Sequence, residues 1–152
     1  MEIERKFRIF TLPEGYQNFP SRMIEQAYLC TEPVIRIRQE NDQYYLTYKS
    51  RGLLAREEYN LPLTEESYQH LLPKSDGIVL TKRRYLIPME GTGYTIEMDV
   101  FDGVYRGLVL AEVEFPTIEE AERFTPPEWF GPDVTLSGEF QNSRLSRKKV
   151  EF

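Results

Sequence analysis

Apolar and polar residues alternate through most of positions 2 to 115, the two-residue period of a strand with one buried face. Eight segments carry this pattern: Glu2–Ile9, Ile24–Cys30, Val34–Glu40, Gln43–Ser50, Ala55–Leu61, Ile78–Ile87, Tyr94–Phe101 and Leu108–Phe115. Turn-forming residues part most of them, among them Thr31-Glu32-Pro33, Asn41-Asp42, Arg51-Gly52 and Asp102-Gly103. Three helices are predicted. Thr64 ahead of Glu65 and Glu66 starts one, and Thr117 ahead of Glu119 and Glu120 starts another that runs to about Phe124. A polar helix is expected over about Gln141–Lys149, and Pro126 to Gly138 is expected to be an irregular connection. Short links between neighbouring strands imply an antiparallel meander, and eight strands suffice to close a barrel. The expected fold is mainly β: one domain over residues 1–152, a closed eight-stranded antiparallel barrel flanked by about three helices.

The polar face of these strands is unusual. Side chains two apart share a face, which groups Glu2, Glu4 and Lys6 on the first strand, opposite Ile3, Phe7 and Ile9. Arg36 with Arg38, Lys49 with Thr47, Arg56 with Glu58 and Lys82 with Arg84 follow. Glu97 with Asp99 and Glu112 with Glu114 complete the series. On any one strand such a pair is most simply a solvated face. The joint pattern is sorted by sign: acidic on strands one, seven and eight, basic on three and six, mixed on five. Solubility alone does not require that sorting.

In a closed sheet the charged face can point out or in. Charges pointing out would leave the helices nothing apolar to cover. Charges pointing in leave an apolar exterior for Tyr68, Leu71, Leu72, Ala121 and Phe124 to cover, and this arrangement is preferred. Charges inside a barrel must be paired, hydrated or ion-bound. Clustered Arg and Lys suit a polyanion such as phosphate. Carboxylates cannot touch phosphate oxygens directly, and their cluster suits a hard divalent ion, Mg²⁺ or Mn²⁺. Together they imply metal-assisted phosphoryl chemistry.

Composition narrows the partners. The chain has 152 residues, of which 40% are hydrophobic and 13% aromatic, a β-favouring share. A net charge of −6 argues against a nucleic-acid partner held by bulk charge. The lone cysteine, Cys30, excludes an internal disulfide and points to a reducing compartment. One histidine, His70, excludes a histidine metal cluster. No apolar run reaches membrane-spanning length and the charged N-terminus is no signal peptide, so a cytoplasmic chain without a membrane partner is expected. A homodimer is compatible with all of this.

Glu2-Ile3-Glu4-Arg5-Lys6 resembles the N-terminal E-x-E-x-K signature of the CYTH proteins, the triphosphate tunnel metalloenzymes. Arg36-Ile37-Arg38, Lys49, Arg56-x-Glu58, Lys82-x-Arg84, Glu97-x-Asp99 and Glu112-x-Glu114 follow in the family's order. The resemblance spans nearly the whole chain and implies a tunnel that holds a small-molecule triphosphate with Mg²⁺ or Mn²⁺. It implies metal ligation by Glu2, Glu4 and Glu114, with Asp99 and Glu112 serving a second metal or a water. It implies phosphate binding by Lys6, Arg36, Arg38, Lys49, Arg56, Lys82 and Arg84, with Glu58 and Glu97 in support. Glu4, Lys6, Lys82, Glu112 and Tyr28 are the expected catalytic set. The chain departs from the family at Phe140-Gln141-Asn142, where relatives often carry Tyr-Lys-Asn.

The favoured function is a metal-dependent inorganic tripolyphosphatase. An organic triphosphatase acting on thiamine or nucleoside triphosphate, or an adenylate cyclase, belongs to the same family. A non-catalytic triphosphate or polyphosphate sensor, or a barrel braced only by internal salt bridges, would be of another class.

Overall fold

The computed structural model describes residues 1–152. Nine strands make one sheet: β1 (Glu2–Arg8), β2 (Ser21–Thr31), β3 (Val34–Glu40), β4 (Gln43–Lys49), β5 (Ala55–Arg56), β6 (Glu58–Leu63), β7 (Asp76–Pro88), β8 (Thr95–Phe101) and β9 (Val109–Glu114). Every pairing is antiparallel, in the order β5-β1-β9-β8-β7-β2-β3-β4-β6.

The two outermost strands, β5 and β6, are separated only by Glu57. β5 places Arg56 opposite Glu2 of β1, and β6 places Glu58 opposite Lys49 of β4. The expected fifth strand is therefore split in two, giving nine strands where the alternation predicts eight. The split lets one stretch of chain serve neighbours on both sides, so the sheet curls into a nearly closed barrel. The Glu57 N–H at the break is taken by the Ser50 hydroxyl at 2.8 Å.

β5 covers only Glu2 and Ile3 of the β1 edge. The irregular segment after Pro126 takes over beyond it. The Arg8 N–H donates to the Pro132 carbonyl, the Gly131 N–H to the Arg8 carbonyl and the Val134 N–H to the Lys6 carbonyl. An exposed strand edge invites pairing with another chain, and this connection covers it.

The charged face lies inside. Outside, Ile3, Ile96, Met98, Ala111, Val113 and Phe115 form a cluster completed by Ala121 of α2 (Ile118–Arg123), with Phe124 packed against it. Tyr68 of α1 (Glu65–Leu71) buries against Ala27 and Ile37, flanked by Leu71 and Leu72. Each fully buried side chain of this size contributes roughly 1.5–3 kcal/mol. Thr64 and Thr117 cap the two helices by accepting from the Ser67 and Glu120 N–H groups. Trp129 and Phe130 pack against the outer cluster, and His70 is exposed. No helix is long and apolar enough to cross a membrane.

The C-terminal segment closes one end. The last helix, α3 (Asn142–Arg147), is shorter than the predicted Gln141–Lys149 and is not a solvated appendage. Leu145 and Ser146 are buried, and Phe140, Leu145 and Val150 join Leu80, Phe101, Leu110 and Tyr105 in an apolar plug. The Tyr105 hydroxyl donates to the Leu145 carbonyl at 2.6 Å and accepts from the Val150 N–H at 3.1 Å. One buried leucine among four basic residues gave too little periodicity to reveal this.

Gly77 is what lets α3 lie against β7. Its φ is +71°, and a Cβ there would sit 2.1 Å from the Ser146 carbonyl oxygen. Gly77→Ala is expected to cost at least about 2 kcal/mol, combining backbone strain with displacement of α3. Gly91 has a similar φ of +78° and open space around it, so Gly91→Ala should cost only about 1 kcal/mol. Urea unfolding of the two variants checks the difference.

Candidate active site

The strand alternation directs the even-numbered side chains of β1, β3 and β9, and the odd-numbered face of β8, towards one lumen. It encloses a cavity of about 140 Å³ lined by 16 residues, of which only two are hydrophobic. All the nominated side chains line it except Lys82 and Asp99, which lie beneath its wall with no exposed surface. Tyr28 both lines the cavity and belongs to the plug.

Strand register assigns the partners. Lys6 faces Glu112 across β1 and β9, and Arg84 faces Asp99 across β7 and β8. Asp99 is the hub of the cationic side. Its Oδ1 accepts from Arg84 Nε at 2.7 Å, and its Oδ2 accepts from Arg84 Nη2 at 2.9 Å and pairs with Lys82 Nζ at 2.7 Å. Both Asp99 oxygens are thus turned to cations here, where the resemblance implied a second metal or a water. Lys82 likewise points at Asp99 and at Asn142 Oδ1 (2.9 Å), not into the cavity. It braces the cationic wall from behind.

Other charges are paired across the lumen. Lys49 Nζ lies 3.0 Å from Glu2 and 3.3 Å from Glu58. Arg56 Nε is 3.2 Å from the same Glu2 oxygen. Glu112 lies 3.5 Å from Lys6 and 3.7 Å from Arg84, and Glu97 is 3.1 Å from Arg84. Arg38 donates to Gln26 Oε1 at 2.7 Å and pairs with Glu40 at 3.0 Å.

Two groups remain unmatched, of opposite sign. Arg36 is buried, has no carboxylate partner, and its Nε donates to nothing, although Nη2 reaches Thr47 at 3.1 Å. On the other wall, Glu4 and Glu114 stand directly opposite each other on β1 and β9. Like charges in direct register are destabilising, and neither carboxylate has a cation in salt-bridge range.

The titration behaviour follows this geometry. Burial, with Glu112 and Glu2 nearby, pushes the Glu4 carboxyl well above the usual range. Burial and then Glu2 and Glu97 raise Glu114, which stands exposed at the mouth. Glu112 is also buried, but Lys6, Arg84 and Lys82 outweigh desolvation and hold it well below the usual range. Burial outweighs Asp99 at Lys82 and pulls its ammonium down from 10.5 to about 7.

A divalent cation fits the acidic wall by its chemistry. Glu4 and Glu114 offer hard oxygen donors, and a cation would relieve the repulsion that Glu112 and Glu2 exert on Glu4 and that Glu2 and Glu97 exert on Glu114. Glu2 is close enough to raise the pKa of both, but its oxygens are turned to Lys49 and Arg56. No three acidic side chains converge into a ready-made ligand set, so Glu2 would have to exchange those partners for the ion.

Residues 1–126 match the CYTH domain. The chain belongs to the CYTH family. Among CYTH relatives, an inorganic triphosphatase of Nitrosomonas europaea is 36% identical over 95% of this chain and 96% of its own length. An inorganic triphosphatase of Acetivibrio thermocellus is also 36% identical, over 95% of this chain and 92% of its own. A crystal structure of an inorganic triphosphatase superposes with a TM-score of 0.73 at 34% identity, covering 97% of this chain and 95% of that one.

Beyond the nominated residues, this CYTH lumen includes Val34, Asn142 and Ser143, and Gln26 is buried in its wall. Gln26 shares a face with Tyr28 and could have been found by strand parity. Asn142 and Ser143 arrive from α3; the family's Tyr-Lys-Asn pattern marks the stretch at Asn142, but no periodicity in it signals entry into the lumen.

The depressed Lys82 pKa has a signed consequence for stability. The unfolded chain keeps that proton up to about 10.5, while the folded chain releases it near 7. The unfolded state therefore binds more protons across that window, and this group makes stability rise with pH there. Lys82→Met should flatten that rise. Urea midpoints at both ends of the window, for wild type and variant, measure it.

Proposed function

We propose that this chain is an inorganic triphosphatase that uses Mg²⁺ or Mn²⁺ and acts in the cytoplasm. The observation that carries the reading is the division of charge in one lumen: buried Arg36, which has no carboxylate partner, on one wall, and Glu4 and Glu114, with no cation in salt-bridge range, on the other. The CYTH relatives named inorganic triphosphatase support it. The lining favours an inorganic substrate over an organic one. Only Val34 and the Tyr28 ring are apolar, which leaves no platform for an adenine or a thiamine.

Arg36, Arg38, Lys49 and Arg84 offer donors to phosphate oxygens, with the guanidinium groups able to engage two at once. They lie on strands braced by Asp99, Gln26 and Glu58, so the oxygens meet preorganised donors. An ion held by Glu4 and Glu114, joined by Glu2, would neutralise phosphate charge and polarise the scissile P–O bond. Glu112 is ionised and lies between Lys6 and Arg84, in position to accept a hydrogen bond from the attacking water. Its low pKa makes it an orienting group more than a strong base. In-line attack forms one P–O bond to water and breaks the bridging P–O bond, giving orthophosphate and pyrophosphate. Lys6 is well placed to offset charge on the departing oxygen.

Phosphate release from tripolyphosphate, ATP and thiamine triphosphate, with Mg²⁺ or Mn²⁺, tests the proposal. Release is expected chiefly from tripolyphosphate, and Glu4→Gln should lower it about 100-fold or more while the protein stays folded. Release mainly from an organic triphosphate would shift the reading to that substrate. A folded protein that binds tripolyphosphate but turns over none of the three would be a sensor.

The raised Glu4 pKa gives a further expectation. A divalent ion binds the ionised carboxylate, so it competes with the proton that burial and the neighbouring carboxylates favour there. Adding Mn²⁺ to metal-free protein in weak buffer should therefore release protons, and Mn²⁺ affinity should fall as pH falls. Titration with a pH electrode checks both, and binding without proton release would contradict the assignment of Glu4.

A further inference from the structure

We infer that Asn142, carried into the lumen by the C-terminal segment, is a substrate-binding residue whose amide N–H group donates to a triphosphate oxygen. The inference rests on the triphosphate reading above and adds a ligand from outside the barrel strands.

The amide has one possible orientation. As an ammonium beside Asp99, Lys82 has only donors, so the Asn142 atom 2.9 Å from its Nζ is the oxygen, and Gln26 fixes the same orientation independently. Gln26 Nε2 donates to the same oxygen at 2.8 Å. Gln26 is itself oriented by Arg38, whose Nε can only donate and reaches Gln26 Oε1 at 2.7 Å. Two cations thus set two amides, in a chain running Arg38, Gln26, Asn142, Lys82, Asp99 and Arg84.

This leaves Nδ2. It donates to no protein acceptor, and Asn142 lines the cavity together with Arg36 and Arg38. The neighbouring acceptors are occupied: Gln26 Oε1 by Arg38, and Asp99 by Arg84 and Lys82. A free donor in a cavity that also carries two guanidinium groups meets its natural partner in an anionic oxygen, and a hydrogen bond to a charged acceptor is among the stronger kinds. Unlike another lysine, the amide adds a donor without further like-charge repulsion in a wall already crowded with cations.

An asparagine that only seated α3 would matter through its oxygen alone. Two variants separate the roles. Asn142→Asp keeps an oxygen for Lys82 and Gln26 but turns an acceptor towards the phosphates. Asn142→Ala removes both ends. Calorimetric binding of tripolyphosphate in EDTA, paired with thermal midpoints, reads affinity without turnover or metal. Both variants are expected to weaken binding about tenfold or more, Asp at least as much as Ala. The thermal midpoint should follow a different order, with Ala lowered and Asp near wild type. Affinity of the Asp variant within about twofold of wild type would overturn the inference, and it decides the matter even if the Ala variant fails to fold. Should wild type bind tripolyphosphate while the Asp variant binds it equally well, only the role of Asn142 falls. If wild type binds neither tripolyphosphate, pyrophosphate nor ATP, both readings fall.

Discussion

A charge taken out of water has to be answered by another charge, by water or by a ligand. That constraint organises this protein. Most of the lumen answers it internally, and Asp99 does the largest share, holding Lys82 and Arg84 at 2.7 Å each. Such pairs are weak contributors to stability, because desolvation offsets much of the attraction. What they provide is position. Arg84 cannot swing away while three of its nitrogens are engaged by Asp99 and Glu97. Arg36, Glu4 and Glu114 are the charged lining groups that no oppositely charged side chain answers, and the proposed function rests on them.

The barrel wall is the means of bringing these charges together. Its core lies outside the tunnel, in the clusters under α1 and α2, and at the plugged end under α3. An inside-out arrangement of this kind separates the two demands on the sequence. Odd positions of β1 answer to packing, as Ile3 and Phe7 do, and even positions to ligand chemistry, as Glu2, Glu4 and Lys6 do.

That separation explains why so much was legible in the sequence. Strand parity alone put Glu4, Arg36, Arg38, Glu112 and Glu114 on one surface, and sign-sorting indicated that the surface was a lumen. Parity is a local rule, and what escaped it was not local. The commitment of Asp99 to two cations depends on the β7–β8 register, and the role of Asn142 depends on where α3 docks, 60 residues along the chain from its partner Lys82. The split of the fifth strand reflects the geometry of closure, since Glu57 itself is an ordinary strand residue. The segment from Pro126 to Gly138 looked like a connection because a single covering edge has no periodicity to display.

The joint between β5 and β1 gives the barrel a mechanical character of its own. A hoop bent from one ribbon is weakest where its ends meet, and here the ends are held by two residue pairs, Glu2 with Arg56 and Ile3 with Ala55. Glu2, Lys49 and Arg56, which straddle the joint, also line the cavity. Closing the hoop and furnishing the tunnel therefore fall to the same three side chains, so a change at any of them touches both at once.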